Sequence, residues 1–339
     1  MRRLIEFLVF IMLLTSSRAI FRLILDGGAV DQTAHLEESG SNTFLGYMFL
    51  GWKLIILLIF TFLLLTKRLG KLKFGTQWGF LIILCFLSMA WAKYPDPVRV
   101  SSFMILCSYL LVLLHFEICG WLRAMRFIKN VFLLISILSI AFALLLPSYG
   151  ISVGEEHQGK WQGVFAHKNE LGLFASLAYV FFLSWHRFEK SLSTKVGIIV
   201  SAMLILGCVS TTAYSCLAIV SLLFLFLQLS STRKIIFSWR YMLLVLVLLG
   251  CIYAIYASIN SSILISIGEK DSSFSNRNLI WAYLLTQSYN AIWLGHGLEQ
   301  ISASVMTDNS SFQESVGFVV GTAHNGFVDA IHALGLVGL

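Results

Sequence analysis

Residues 44–66 read FLGYMFLGWKLIILLIFTFLLLT, and Lys53 is the only charged residue in this stretch. A helix needs about 20 mainly apolar residues to cross the hydrocarbon core of a bilayer. Lipid offers the backbone no hydrogen-bond partner, so such a stretch folds as a helix whose polar groups bond to one another. The segment therefore predicts a transmembrane helix.

Similar apolar stretches recur along almost the whole chain. Of the 339 residues, 58% are hydrophobic and 12% are charged, whereas a soluble domain is about 45–50% apolar. The predicted fold class is an all-α polytopic membrane protein with about ten transmembrane helices and a long extracytoplasmic loop before the last visible helix. The bundle is expected to be truncated from a larger one, because the last apolar stretch is short and ends without a flanking charge. The spans are predicted near residues 4–25, 44–66, 76–92, 99–117, 130–147, 169–186, 196–209, 212–230, 241–259 and 325–339.

The charged residues predict the orientation of these spans. Lys and Arg gather in short segments around 67–73, 123–129, 187–195 and 233–240, while acidic residues gather in the alternate segments. Because basic loops stay in the cytoplasm, the pattern predicts a multi-pass protein of the bacterial inner membrane that faces the periplasm with its other loops. The net charge of +7 is spread over short loops rather than one folded face, so a nucleic-acid partner is not expected.

Two outer loops stand out by their length. Loops beyond about 12–15 residues are uncommon unless they have a function. The predicted division is therefore an N-terminal set of transmembrane helices at 1–147 and a functional region at 148–339, which includes the long periplasmic loop 260–324. Within that loop, Ile280, Trp281, Leu284 and Leu285 recur at helical spacing, which predicts an amphipathic helix at the membrane surface.

The first cluster of polar residues is the segment 159–170, where an outer loop enters the sixth span. It holds Lys160, Gln162, His167, Lys168 and Asn169 beside an aromatic pair. These residues are candidates for binding a polar substrate at the membrane surface. An interfacial anchor would account for the same residues, since Trp and Lys favour that depth.

The second cluster begins at Arg277, the only arginine between Arg240 and Leu339. A guanidinium can hold phosphate oxygens through two parallel hydrogen bonds, which a lysine cannot do. A solvated loop arginine is the plain alternative. The glycines of Leu294-Gly295-His296-Gly297 are most simply explained by a turn.

The third cluster is the segment His324-Asn325-Gly326, where the long loop becomes the last apolar helix. An imidazole has an unperturbed pKa near 6.5, so His324 could accept a proton at neutral pH. His332, two turns deeper, is expected to be a packing or hydrogen-bonded histidine.

These three clusters resemble the O-antigen ligase and polymerase superfamily, most of all its exopolysaccharide polymerases of the succinoglycan type. The matching elements are G-x-F-x-H-K-N at 163–169, R-x-x-x-W at 277–281 followed by L-G-x-G at 294–297, and H-N at 324–325. They occur in the order that the family has. The resemblance covers about residues 100–339.

The resemblance implies a metal-independent membrane glycosyltransferase without a cofactor. Its donor would be an undecaprenyl-diphosphate-linked glycan, its acceptor a glycan or the lipid A core, and its environment the lipid bilayer. A chain-length regulator is a further partner that the resemblance allows. In such enzymes an arginine pair contacts the diphosphate and a histidine assists the acceptor. The resemblance assigns catalytic roles to Arg277 and His324, and substrate-binding roles to Lys160, Gln162, His167, Lys168, Asn169 and Asn325.

One position departs from the family pattern. The second arginine of the family commonly stands just before the glycine of the G-x-F-x-H-K-N element, where this chain has Gln162. Lys160 or Lys168 could supply positive charge in its place.

Four functions fit these residues to different degrees. Polymerisation of lipid-linked repeat units is the first choice, and ligation of finished glycan to lipid A core uses the same donor. A flippase or permease would need ionisable residues along its path through the spans, and Lys53 is the only clear basic residue there. A non-catalytic scaffold would leave the ordered arginine and histidine elements without a role.

Overall fold

The computed structural model describes residues 1–16, 43–65, 75–152, 158–165, 167–232, 277–301, 322–323 and 325–339. Within these ranges the regular elements are helical, and one isolated antiparallel bridge joins Ile151 to Trp161. This agrees with the predicted all-α class. The helices are α1 (Arg2–Ser16), α2 (Thr43–Leu65), α3 (Thr76–Leu87, continued by a 3-10 turn at Ser88–Ala90), α4 (Pro95–Cys119), α5 (Trp121–Leu145), the single turn α6 (Pro147–Gly150), α7 (Lys168–His186), α8 (Leu192–Cys208), α9 (Thr211–Thr232), α10 (Arg277–Tyr289) and α11 (Gly326–Gly338).

Among the described helices, α4 and α5 are long and apolar enough to cross a membrane. Each has 25 residues, which at 1.5 Å per residue spans about 37 Å. Shorter apolar helical stretches occur at Gly51–Leu63, Thr76–Ala90, Leu192–Cys208, Thr211–Leu225 and Gly326–Gly338. The number of ten spans stays a prediction, and the span predicted at 241–259 lies outside the described residues.

Two helices begin earlier than the apolar pattern predicts. Helix α4 begins at Pro95 rather than near residue 99, and α5 begins at Trp121 rather than near residue 130. Proline suits the start of a helix, because the N–H that it lacks would have no intrahelical partner there. Gly120 separates the two helices with a φ of 75°, a conformation that glycine adopts without steric cost. The basic residues at 123–129 therefore lie on the first turns of α5 and not in a loop.

The chain divides into two compact units, residues 1–70 with 110–236 and residues 71–109 with 237–339. The boundary predicted at residue 147, which separates the N-terminal helices from the functional region, was drawn from the sequence and stays a prediction. The G-x-F-x-H-K-N element belongs to the first unit. The R-x-x-x-W, L-G-x-G and H-N elements belong to the second.

Ion pairs in the first unit join α1, α5 and the turn between α7 and α8. Arg123 contacts Glu6 at 2.8 Å, Arg126 contacts Glu189 at 3.1 Å, and the buried Lys129 contacts Glu189 at 3.3 Å. Burial raises the pKa of the Glu189 carboxyl, but hydrogen bonds from Arg126 and Lys129 outweigh it, so the pKa lies below its ordinary value. Two of the joined segments, 123–129 and 187–195, are ones that the charge pattern assigns to the same inner side.

The core of the first unit lies where α7 packs against α8. Leu171 and Ala175 of α7 and Leu204 and Ile205 of α8 are fully buried there. A Cβ added at Gly197 of α8 would lie only 2.6 Å from the Phe182 ring. A glycine at this position lets the two helix backbones approach closely, as small residues do between membrane helices.

The second unit contains α3, α10 and α11. Ile280 and Leu284 of α10 are buried against Val328 of α11 and against Ala323, while Leu334 of α11 packs against Leu84 and Cys85 of α3. The helix predicted around residues 280–288 is confirmed. Its buried face is occupied by this packing, while Leu285 is exposed. This arrangement places the start of α11 beside α10.

Candidate functional site

In the loop before α7, residues 151–152 and 159–161 pair as the two sides of a short antiparallel turn. Ser152 donates its backbone N–H to the Lys160 carbonyl oxygen at 2.9 Å, and the Gly159 N–H returns a bond to the Ser152 carbonyl at 3.2 Å. The isolated bridge between Ile151 and Trp161 lies beside these bonds. Lys160 is half-buried at the end of this turn.

Trp161 packs on the end of α8. Its backbone N–H donates to the Gly207 carbonyl at 2.9 Å. A Cβ at Gly207 would lie 2.3 Å from the indole ring, so the ring occupies the space that a side chain would fill. Trp161 therefore holds the loop against α8.

Gln162 stands where the family commonly has an arginine, and here it is 3% exposed. Its side-chain Nε2 donates to the Tyr149 carbonyl at 2.9 Å, and its backbone N–H donates to the Gly150 carbonyl at 2.9 Å. Both bonds tie the loop to α6. The substrate-binding role predicted for Gln162 stays a prediction. Its structural role is to attach the loop to α6 through these two hydrogen bonds.

Gly163 lies in the left-handed region with a φ of 60°, and its N–H also donates to the Gly150 carbonyl at 3.0 Å. A Cβ here would approach the Ser139 Cβ of α5 to 2.6 Å. Real Cβ atoms do not come this close, so both the backbone conformation and the packing require glycine. The first residue of the G-x-F-x-H-K-N element is therefore structural.

We expect Gly163→Ala to destabilise the protein by about 1–3 kcal/mol more than Gly159→Ala does, because only the former adds a clash to a packed interior. Gly159 is the matched control, since its φ is 79° and a Cβ there would meet nothing within 4 Å. Both changes carry the same left-handed cost of about 1–2 kcal/mol. Thermal unfolding of the two variants in detergent measures the difference, and equal losses would contradict the clash.

The end of the element forms the start of α7. The Asn169 N–H donates to the His167 Nδ1 atom at 3.2 Å, so the imidazole caps the helix. Lys168 is buried, whereas Asn169 is exposed. The substrate contacts predicted for these three residues stay predictions.

In the second unit, α10 begins at Arg277, whose side chain lies outside what the structure describes. One turn later, Trp281 donates its indole Nε1–H to the Ala323 carbonyl at 2.8 Å. Ala323 is the residue before His324, which itself lies outside the described residues. The hydrogen bond therefore links the R-x-x-x-W element to the residue next to the H-N element, across 42 positions of sequence.

Asn325, predicted to bind substrate, is the N-cap of α11. Its Oδ1 accepts the Phe327 N–H at 3.1 Å. Sequence reasoning missed Asp329, whose Oδ1 accepts the Ala323 N–H at 2.8 Å. An acidic residue in the first turn after an Asn cap is the signal that would have drawn attention to it.

The L-G-x-G element and α11 exchange backbone hydrogen bonds. Gly335 breaks the helix with a φ of 65°, which leaves two carbonyls and two N–H groups of α11 without intrahelical partners. The carbonyls of His332 and Ala333 accept from His296 and Gly297, each at 2.8 Å. The N–H groups of residues 336 and 337 donate to the carbonyls of residues 292 and 293, at 2.8 and 3.2 Å.

Glycine is required on both sides of this exchange. A Cβ at Gly295 would lie 2.5 Å from the Ala333 backbone, and one at Gly335 would lie 2.3 Å from the Trp293 backbone. The turn predicted for the L-G-x-G element is confirmed, with a φ of 65° at Gly295 and 104° at Gly297.

His332 lies inside this arrangement and is 4% exposed. Its Nδ1 lies 3.2 Å from the Ser288 Oγ, and its ring lies against that of His296 at a tilt of 33°, with the centroids 4.7 Å apart. The prediction that His332 is a packed, hydrogen-bonded histidine is confirmed. Ser288 follows Ile280 and Leu284 at four-residue spacing and is buried with them.

A comparison with known protein families finds a match that includes the three sequence elements of the second unit. The family model described as O-antigen ligase matches residues 196–339, a range that contains the R-x-x-x-W, L-G-x-G and H-N elements. The G-x-F-x-H-K-N element lies before this range. No curated protein and no solved structure matches the chain. Residues 196–339 are therefore similar to the O-antigen ligase family, and this match bears out the predicted relationship to the O-antigen ligase and polymerase superfamily.

Proposed function

We propose that this protein polymerises undecaprenyl-diphosphate-linked oligosaccharide repeat units into exopolysaccharide or O-antigen. The O-antigen ligase domain indicates a membrane glycosyltransferase of the ligase and polymerase type. The narrower choice of polymerase rests on the H-K-N ending of the element at 163–169, as the resemblance implies. The lipid-linked donor is likewise proposed from the family and from Arg277.

In the proposed reaction an acceptor hydroxyl attacks the anomeric carbon of the donor sugar. The bond from that carbon to the phosphate oxygen breaks, and the diphosphate leaves with the electron pair. Arg277 stabilises the negative charge that develops on the leaving group, because a fixed cation acts most strongly where charge grows in the transition state. His324 takes the proton of the attacking hydroxyl as a general base.

The hydrogen bond from Trp281 to Ala323 is the observation that supports this pairing most directly. Arg277 precedes Trp281 by about one helical turn along α10. Ala323 is adjacent to His324 in sequence. A single contact therefore brings the helix that begins with Arg277 to the residue preceding the proposed base.

We further propose that the site faces the periplasm from the inner membrane. The alternation of basic and acidic segments supports this orientation, and the H-N element follows a long loop assigned to the outer side. Lys160, His167, Lys168 and Asn169 are proposed to contact the substrate from the same face of the membrane. A chain-length regulator is the proposed protein partner.

Ligation of glycan to lipid A core is the second candidate, because the matching family is described as O-antigen ligase. Both reactions use one donor and differ in the acceptor. A flippase is a weaker candidate, since ionisable residues are scarce in the predicted spans.

Reconstitution of the purified chain with lipid-linked repeat units tests the proposal. A polymerase is expected to convert the repeat unit alone into a ladder of longer lipid-linked products. A ligase would leave the repeat unit unchanged until lipid A core is added, and would then transfer the glycan to it. Movement of the donor across the bilayer without a new glycosidic bond would overturn both enzymatic proposals.

A further inference from the structure

Both backbone polar groups of Ala323 are held by side chains from two different helices. The Trp281 indole Nε1–H of α10 donates to its carbonyl oxygen at 2.8 Å, and its N–H donates to the Asp329 Oδ1 of α11 at 2.8 Å. Ala323 itself is fully buried. These two groups belong to the two peptide units that flank the Ala323 Cα, and neither unit can turn without breaking a hydrogen bond at a packed cluster.

The residue on the other side of His324 is held as well. Asn325 caps α11 through its Oδ1, and its carbonyl accepts the Asp329 N–H at 2.9 Å. Asp329 therefore contacts both neighbours of His324, one through its side chain and one through its backbone. Only a single residue separates the two fixed positions.

We propose that Trp281 and Asp329 are positioning residues, which hold the main chain at Ala323 so that the His324 imidazole meets the acceptor hydroxyl. This inference rests on the proposed function, in which His324 is the general base. A base must lie within about 2.6–3.2 Å of the proton that it removes. A displacement of about 1 Å can lower a rate by roughly 100-fold, so the contacts at Ala323 act on catalysis without touching the substrate.

Conservative variants separate the hydrogen bonds from the packing. Trp281→Phe keeps an aromatic ring against Ile280 and Ala323 but removes the indole N–H. Asp329→Ala removes the acceptor, whereas Asp329→Asn keeps an oxygen that can accept the Ala323 N–H. Trp293→Phe and Asp96→Ala are matched controls, because both side chains are exposed and neither bonds to Ala323.

The test measures kcat and KM of the reconstituted full chain with purified lipid-linked repeat units. Trp281→Phe and Asp329→Ala are expected to lower kcat by about 10–100-fold, with KM for the donor nearly unchanged. Asp329→Asn is expected to recover most of the rate, and the two controls to match wild type. An unchanged kcat in Trp281→Phe would overturn the role of Trp281, and equal losses in Asp329→Asn and Asp329→Ala would overturn that of Asp329.

A double-variant cycle shows whether the effect passes through His324. If Trp281 acts by positioning this histidine, Trp281→Phe should cause no further loss in a His324→Ala background, because coupled residues are not additive. A further loss of the same size would indicate a general structural role and would overturn the inference. Full activity in His324→Ala alone would instead overturn the proposed base, so the two failures are distinguishable.

Discussion

His324→Ala is expected to lower the rate of product formation by about 10²–10⁴, the usual contribution of a positioned general base. The change removes the proposed proton acceptor and leaves the contacts at Ala323 and Asn325 on either side of it. Membrane insertion and detergent stability are therefore expected to match wild type. Rates are measured in reconstituted vesicles with lipid-linked repeat units, per molecule of folded enzyme.

The pH dependence gives the same prediction a second measurement. A general base works only when it is unprotonated, so wild-type kcat should fall as the pH drops through the pKa of His324, whose unperturbed value is about 6.5. The residual activity of His324→Ala should lack this fall. An acid limb that persists in the variant would assign the titration to another group.

His332→Ala is the contrasting variant. His332 is buried, contacts Ser288 and packs against the His296 ring, so its loss should lower stability and yield rather than the rate of the surviving enzyme. Equal rates for wild type and His324→Ala would exclude the base role. A rate loss confined to His332→Ala would move the chemistry deeper along α11.

Arg277→Ala is expected to lower kcat by about 10²–10³, which is the cost of removing one preorganised group that stabilises developing negative charge. Arg277→Lys keeps the positive charge but loses the planar fork that holds two phosphate oxygens, so it should also be strongly impaired. The measurement is kcat with the lipid-linked donor, beside size-exclusion analysis of each variant. If Arg277→Ala lowers kcat but Arg277→Lys keeps the wild-type kcat, Arg277 acts only through its positive charge.

Arg99→Ala is the matched control for this series. Arg99 lies in the same unit of the protein and is exposed in an ion pair with Asp96 at 2.9 Å. Exposed pairs of this kind contribute little to stability, so this variant should behave as wild type. Normal polymerisation by a stably folded Arg277→Ala protein would show that the diphosphate is held elsewhere.

Several local features could be read from the sequence. The turn at Leu294–Gly297, the helix around Trp281 and the packed state of His332 are confirmed. The turn and the helix depend on residues that lie close together along the chain, such as glycines with positive φ or apolar residues at helical spacing. The position of His332 two turns inside an apolar helix indicated that it packs, although its partners Ser288 and His296 are distant in sequence. The relationship to the O-antigen ligase and polymerase superfamily is also confirmed, because ordered short elements carry it.

Other features required the folded chain. Nothing in the pattern around Gln162 indicates that its amide bonds to the Tyr149 carbonyl. The broken turn of α11 at Gly335 was not predicted either. Its unpaired backbone groups find partners at residues 292–297, about forty positions earlier along the chain.

The sequence alone determined the helical class and the expected orientation, because in lipid each backbone group must bond within its own helix and basic loops stay inside. It also determined which residues are candidates for the chemistry. Tertiary structure alone decided that Trp281 and Asp329 both form hydrogen bonds with Ala323, and that Gly163 packs closely against Ser139. Helical hydrogen bonds join residues four positions apart and follow local composition, whereas these contacts join a helix to a residue outside it and depend on how the segments pack.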